Sequence, residues 1–305
     1  MKVYIKNPTI QGAWMWIQKG YKLAWESLGY DVECYNSLSE ISESEYILMT
    51  REWDVKSSRD LETIERAKLS FLFAQPQIFP PPWGTHPNFI SSASDDIIKQ
   101  VNQMEHVYLW TFGYVNPSYH HKWKEVNTVF LAFDSISYTP IKEDKYTKYD
   151  ICFVGGWANN GFNEKRKIMI ESFSAFQQSG LNCGFFINKN LSHEQETALL
   201  YNSKISLNMH DAYQRALGMD TNERTFKSLG LNGLLISDKV TQLEDIFPNT
   251  KTSNDPTELV SLTKEYLSLT EKERNNIKEE NRQNILNNHC YTNRVEQLLS
   301  LENNT

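Results

Sequence analysis

The feature that most restricts this chain is an alternation, repeated twice, of short apolar β-prone runs with segments of helical period. Val3-Tyr4-Ile5 opens the first series, followed by loop chemistry in Asn7-Pro8-Thr9-Ile10-Gln11-Gly12. Over residues 13–28 apolar side chains recur at helical spacing (Trp14, Ile17, Tyr21, Ala24, Trp25, Leu28), and Gly29 supplies a stop. A strand resumes over 30–34. A helix between two strands of this kind is the seed of a parallel sheet. Further strands are predicted at 46–49, 69–74, 107–110 and 129–131, with a polar helix near 58–68. The five prolines at positions 76, 80, 81, 82 and 87 make 75–88 a loop.

Residues 135–149 are polar, Lys-rich and without apolar period, and are the candidate interdomain linker. A second series then begins: strand 150–154, the turn Gly155-Gly156, helix 165–178, strand 183–187, helix 193–201, strand 204–209, helix 222–231 and strand 234–237. From 256 to 301 the chain reads as helical, broken near 287–291. At roughly 100–200 residues per domain, 305 residues accommodate two such α/β domains. Ligands of parallel α/β sheets bind at the carboxyl ends of the strands, so a cleft between two such domains is the expected site.

Composition removes several classes of function. The formal net charge of -7 speaks against a general nucleic-acid binder, whose affinity comes mostly from neutralising phosphates. No apolar run approaches the roughly 18 residues of a membrane span, and the N-terminal apolar stretch is too short for a signal peptide; the expectation is a cytoplasmic protein. The four cysteines (Cys34, Cys152, Cys183, Cys290) are far apart and lack zinc-finger spacing, so neither a disulfide framework nor a structural metal is expected. Cys152 reads as a buried free thiol.

The most informative segment is Asn222-Glu223-Arg224-Thr225-Phe226-Lys227-Ser228-Leu229-Gly230-Leu231-Asn232-Gly233, which runs into Leu234-Leu235-Ile236-Ser237-Asp238. Asn222 is a good N-cap. Phe226 and Leu229 share a core-facing side, and Arg224 and Lys227, also three apart, are expected on the opposite, cleft-facing side. A helix N-terminus with a forked cation beside it suits a diphosphate. An amphipathic surface helix with solvated charges is the alternative. Gly155, Gly156 and Trp157 form a turn that allows close backbone approach to a ligand, and Arg166 is a second phosphate candidate. His210-Asp211, directly after a strand, is expected at the cleft edge, and the loop Gly218-Met219-Asp220-Thr221 beside the same pocket.

The segment resembles the C-terminal signature of the CgeB-like spore-maturation group of glycosyltransferases, roughly Asn-x-Arg-x-Phe-Glu-Ala-Leu-Ala-x-Gly-Gly. Its counterparts here are Asn222, Arg224, Phe226, Leu229, Gly233, Ser237-Asp238, and Leu243-Glu244 with Phe247. Phe153-Val154-Gly155-Gly156 with Arg166 resembles the turn opening that family's nucleotide domain. His289-Cys290-Tyr291-Thr292-Asn293-Arg294 resembles its closing element. The resemblance covers about residues 150–300. It implies a GT-B glycosyltransferase: two Rossmann-like α/β domains facing a central cleft, the acceptor held by 1–135, the nucleotide sugar by 150–288, and 289–305 crossing back. Donor contacts are then expected from Gly155, Gly156, Trp157, Arg166, His210, Asn222, Arg224 and Lys227. One departure stands out: the family's ribose-binding Glu is replaced by Lys227, which cannot accept hydroxyl hydrogen bonds. Either Lys227 contacts phosphate, or another group such as Glu223 takes the ribose, or activity is altered or lost.

In the first series Gly12 and Trp14 are the acceptor candidates, with Trp16 nearby, and Glu52 and His86 the candidates for a catalytic base. His120-His121 reads as solvated surface. The sequence has no Asp-x-Asp triplet for a divalent ion on the diphosphate, so no metal or other cofactor is expected. The donor is expected to be a nucleotide sugar and the acceptor a glycan or small molecule. A modified DNA base is a rival acceptor that the charge disfavours, and a non-catalytic nucleotide- or sugar-binding module is the rival of another class.

Overall fold

A computed structural model describes residues 1–7, 13–78, 93–157 and 164–303. The chain divides into two compact units, Met1–Leu131 together with Tyr291–Thr305, and Ala132–Cys290.

The first unit runs β1 (Lys2–Lys6), α1 (Ala13–Ser27), β2 (Asp31–Tyr35), β3 (Ile47–Arg51), α2 (Ser58–Arg66), β4 (Leu69–Phe73), α3 (Asp95–Val101), β5 (Val107–Thr111) and β6 (Val126–Thr128). All strands pair in parallel, in the order β2-β1-β3-β4-β5-β6. The central strands β3 and β4 are buried at every residue, whereas edge strand β2 is mostly accessible. That is the pattern of a sheet covered on both faces, and it explains why the central strands read as largely apolar runs. Ser57 caps α2 by accepting from the Asp60 N–H, and Gly29 after α1 has φ +86°, a conformation costly for other residues. Leu48, Leu72, Leu109 and Trp123 belong to one apolar core with Ile64 of α2 and Val101 of α3.

The second unit opens with 132–149 and continues through β7 (Ile151–Gly155), α4 (Glu164–Gln178), β8 (Cys183–Ile187), α5 (His193–Asn202), β9 (Ile205–Asn208), α6 (Ala212–Leu217), α7 (Glu223–Leu231), β10 (Leu235–Ser237), α8 (Thr241–Ile246), β11 (Lys251–Thr252), α9 (Pro256–Ser268) and α10 (Glu271–Asn288). Its sheet is again parallel, ordered β11-β10-β9-β7-β8. The core joins Phe153 and Leu207 of the sheet to Phe173 and Phe176 of α4 and Leu259 of α9. The chain ends with α11 (Tyr291–Glu302), which packs on α1 in the first unit.

Three local expectations need correction. The predicted strand at 129–131 is displaced to β6, because the carbonyls of Phe130 and Leu131 bond the Arg294 guanidinium instead of a strand neighbour. His121 is exposed, but His120 is 3% exposed, its ring held on the Asn116 carbonyl, and burial pushes its pKa down. The segment read as a linker is docked: the Asn202 amide donates to the Ile141 carbonyl and accepts from the Glu143 N–H, and Tyr138 is buried. No disulfide joins the four cysteines, and burial pushes the Cys152 thiol up to about 12.

Candidate functional site

In the second sheet the chain runs from β7 outward to β8 and then returns to β9 on the other side of β7. Such a switch leaves a crevice beyond the strand ends, because the flanking connections depart in opposite directions. Arg224, on the first turn of α7, spans this switch. Its Nε donates to the Val154 carbonyl of β7 (2.9 Å), and its Nη1 donates to Asn208 Oδ1 and the Met209 carbonyl at the end of β9 (3.2 Å each). The guanidinium also lies 4.8 Å from the Phe153 ring centroid. A Cβ on Gly155 would collide with it, so any larger residue where the strand ends would have to displace Arg224. Burial lowers the Arg224 pKa, opposed first by the Glu223 carboxylate.

The helix that carries Arg224 starts where it does because Asn222 accepts from the Thr225 N–H and donates to the Met209 carbonyl. Beneath it lies a buried polar chain. The Asn208 amide donates to Thr225 Oγ1 (2.9 Å), Thr225 Oγ1 meets Thr221 Oγ1 (2.6 Å), and Thr221 Oγ1 meets His210 Nε2 (2.8 Å). His210 Nδ1 lies 2.6 Å from Asp238 Oδ1, and the same carboxylate accepts the His210 backbone N–H. His210 is fully buried with both ring nitrogens engaged, so it holds the loop rather than presenting an atom to a ligand. Burial alone would raise the Asp238 pKa, but His210 outweighs it and holds the carboxyl below its usual value.

Lys165, at the start of α4, pairs with Asp211 at 2.5 Å, and burial lowers its pKa, with Arg224 adding to the effect. The neighbouring Arg166 stacks over the Trp157 ring at 5.2 Å. Gly156 lies beside the Asn188 side chain. Asp220, in the loop before α7, accepts from the Gln214 amide (2.7 Å), and burial raises its carboxyl to about 6.

Lys227 does not share a face with Arg224. Its ammonium is 3.2 Å from Glu196 of α5 and 3.5 Å from Glu223, and it lies over the Tyr138 ring at 5.0 Å. Burial would lower its pKa; the carboxylates of Glu223 and Glu196 more than offset that and raise it. Glu223, itself mostly buried, has its carboxyl pushed up by desolvation, with Lys227 opposing.

In the first unit Trp14 makes edge contacts with Trp53 and Phe73. Glu52 is 1% exposed and its Oε2 accepts the Ala93 N–H at 2.8 Å, bracing the segment before α3. Gly12 and His86 lie outside the described residues. The structure thus gathers Gly155, Arg224, Asn222 and His210 at one strand switch and sets Lys227 apart. Sequence reasoning missed Lys165 and Asn208, and gave Thr221 only as part of a pocket loop and Asp238 only as a family counterpart; for Lys165 the available signal was a lysine at the start of the helix that follows the Gly-Gly turn. Among the described residues, no group of three or more metal-ligating side chains converges and no helix is long and apolar enough to cross a membrane.

Residues 155–300 match the family described as glycosyl transferase-like, a span that contains Arg224 with Asn208, His210, Thr221 and Asp238 and begins at Gly155, one residue after the Val154 carbonyl that Arg224 bonds. No curated protein matches the chain significantly. Several solved structures share its fold. The DNA-modifying enzyme β-glucosyltransferase, solved with and without uridine diphosphoglucose, has a TM-score of 0.55 at 12% identity and covers 99% of both chains. The T4 phage enzyme BGT in complex with UDP and Mn²⁺ scores 0.53 at 11% identity, covering 98% of this chain and 99% of that one. The α,α-trehalose 6-phosphate synthase from Burkholderia multivorans scores 0.54 at 10% identity, covering 88% and 73%. These likenesses establish the architecture of two parallel α/β sheets that GT-B glycosyltransferases have.

Proposed function

We propose, from a chain of GT-B architecture whose residues 155–300 form a glycosyl transferase-like domain, that the protein transfers a sugar from a nucleotide diphosphate sugar to an acceptor bound by the first unit. The observation carrying this reading is Arg224 astride the β7–β9 switch, beside Gly155 and at the N-terminus of α7. There a diphosphate meets a helix dipole, backbone N–H groups and a preorganised guanidinium.

In the reaction, an acceptor oxygen forms a bond to the anomeric carbon as the bond from that carbon to the diphosphate breaks. The diphosphate leaves with the electron pair and the acceptor proton passes to a base. Arg224, held by three protein acceptors, is positioned before the charge develops, which is how preorganised donors lower a barrier. Lys165 is the second cation, released toward phosphate if Asp211 exchanges partners. We propose that these groups replace a divalent ion, and that four cysteines joined by no disulfide fit a reducing, cytoplasmic setting.

The test is thermal shift against UDP, GDP, ADP, CDP, dTDP and their sugars, with and without EDTA. A ligand at 100 times its Kd stabilises by about 2.7 kcal/mol. A selective rise that survives EDTA supports the reading; dependence on Mn²⁺ or Mg²⁺ overturns metal independence. A second reading, a nucleotide- or sugar-binding module without turnover, is favoured by one observation. Lys227, where the resembled family has its ribose carboxylate, is locked between Glu196 and Glu223. Donor binding with no product on a broad acceptor panel decides for that reading.

A further inference from the structure

The second sheet ends at β8, and the register there decides which backbone groups face away from the sheet. The Asn182 carbonyl accepts from the Asp150 N–H, and the Asn188 N–H donates to the Gly155 carbonyl, so the even-numbered residues of β8 bond β7. Alternate residues of a strand direct their N–H and C=O to opposite sides, which turns those of Cys183, Phe185 and Ile187 outward. Among the described residues nothing bonds these outward groups.

The other sheet edges are guarded. Strand β2 carries exposed Asp31 and Glu33. Strand β6 has three residues, and Gln297 Nε2 donates to its Thr128 carbonyl. Strand β11 has two residues, and its Lys251 pairs with Glu265. Strand β8 is five residues long, and residues 181–188 contain neither a charge nor a proline. Proteins blunt their edges by shortness, charge or proline; an edge with none of these is a template for another strand.

Charge and register select the occupant. Run antiparallel about a twofold axis through Phe185, β8 sets Cys183 opposite Ile187 of a second copy and Phe185 opposite itself. Outward residues then meet outward residues, and each opposed pair exchanges N–H and C=O. Gly184 falls opposite Phe186, a small residue facing a large one, and no like charges meet. The same operation on β2 sets the Glu33 carboxylate against itself.

We propose that β8 is a homodimerisation edge, pairing antiparallel with β8 of a second copy and joining two five-stranded sheets into one. Five residues are few against the roughly 20–30 a side of a stable interface, so the dimer is weak and depends on concentration. The strand runs up to Asn188, whose side chain lies beside Gly156, and the pairing therefore adjoins the candidate site. It does not depend on the sugar-transfer reading.

The experiment follows the full chain by sedimentation velocity over at least a hundredfold range of concentration, with residue-resolved amide exchange at both ends of that range. In the monomer the Gly184 and Phe186 amides are slow, and those of Cys183, Phe185 and Ile187 are fast. A dimer at high concentration in which these three amides slow at least tenfold supports the pairing. A chain that stays monomeric overturns it. So does a dimer whose outward amides remain fast, because it forms through another surface. Outward amides already slow in the monomer show an edge covered within the chain, and overturn it as well. Cys183→Pro supplies a second arm, since the N–H it removes bonds nothing in the monomer and the first residue of an edge strand accepts proline. The variant is expected to melt near the parent at low concentration and to dimerise at least tenfold more weakly. Dimerisation equal to the parent overturns the proposal. If the variant is unfolded, the amide exchange of the parent decides.

Discussion

The guanidinium of Arg224 occupies the space that a side chain on Gly155 would need, and so the end of β7 and the start of α7 depend on each other. Gly155→Ala is expected to displace Arg224 and weaken nucleotide binding at least tenfold in a protein that still folds. Arg224→Ala removes three charge-assisted bonds as well as the ligand contact. Its melting curves should show a loss of about 2–4 kcal/mol in addition to the lost nucleotide shift. Nucleotide affinity unchanged in Gly155→Ala would remove this pair from the site.

Lys227 offers a sharper distinction, because its two carboxylate partners are mostly buried. Lys227→Met leaves Glu196 and Glu223 uncompensated and is expected to cost about 3–5 kcal/mol in urea unfolding at pH 7.5. Lys227→Glu should cost at least as much. Adding Glu196→Lys to Lys227→Glu restores a pair and should recover most of the loss. A stable Lys227→Glu single variant would show that the cluster is not stabilising.

Asp220 predicts a pH dependence. Burial raises its folded-state pKa to about 6, above the unfolded value near 3.9, so between those values the folded state holds the proton more tightly. The folded state then binds more protons than the unfolded one, and this contribution to stability is full below about pH 4 and lost as pH rises through about 6. Asp220→Asn removes the loss. Relative to the parent, the variant should gain about 1–3 kcal/mol on going from pH 4 to pH 7.5 in urea melts. A pH-independent difference would overturn the assignment.

In the first unit, Gly20 of α1 faces the ring of Tyr291, which opens α11, and a Cβ there would overlap the ring. Gly20→Ala is expected to destabilise by about 1–3 kcal/mol, and Gly20→Ala combined with Tyr291→Leu by less than the two changes summed. Additivity in that double-mutant cycle would show that the helices are not coupled at this point.

Strand and helix identity was legible along most of this chain, because burial of a parallel sheet on both faces writes itself as apolar runs such as 69–73 and helices such as α1 write themselves as a 3.6-residue period. The Asn222 cap and the glycine at 155 were legible for the same reason: each is a local backbone requirement that few residues meet. What the sequence could not carry was the direction of charged side chains. Arg224 and Lys227 have the same spacing as Phe226 and Leu229, yet one reaches carbonyls and an amide across β7 and β9 while the other is drawn to carboxylates on α5 and α7. His210 reads as a cleft-edge residue and His120 as solvated surface, and only packing decided that both are buried. Periodicity and capping are set by neighbours within one turn, but the partner of a buried charge is chosen by residues tens of positions away, and that choice exists only once the sheet has assembled.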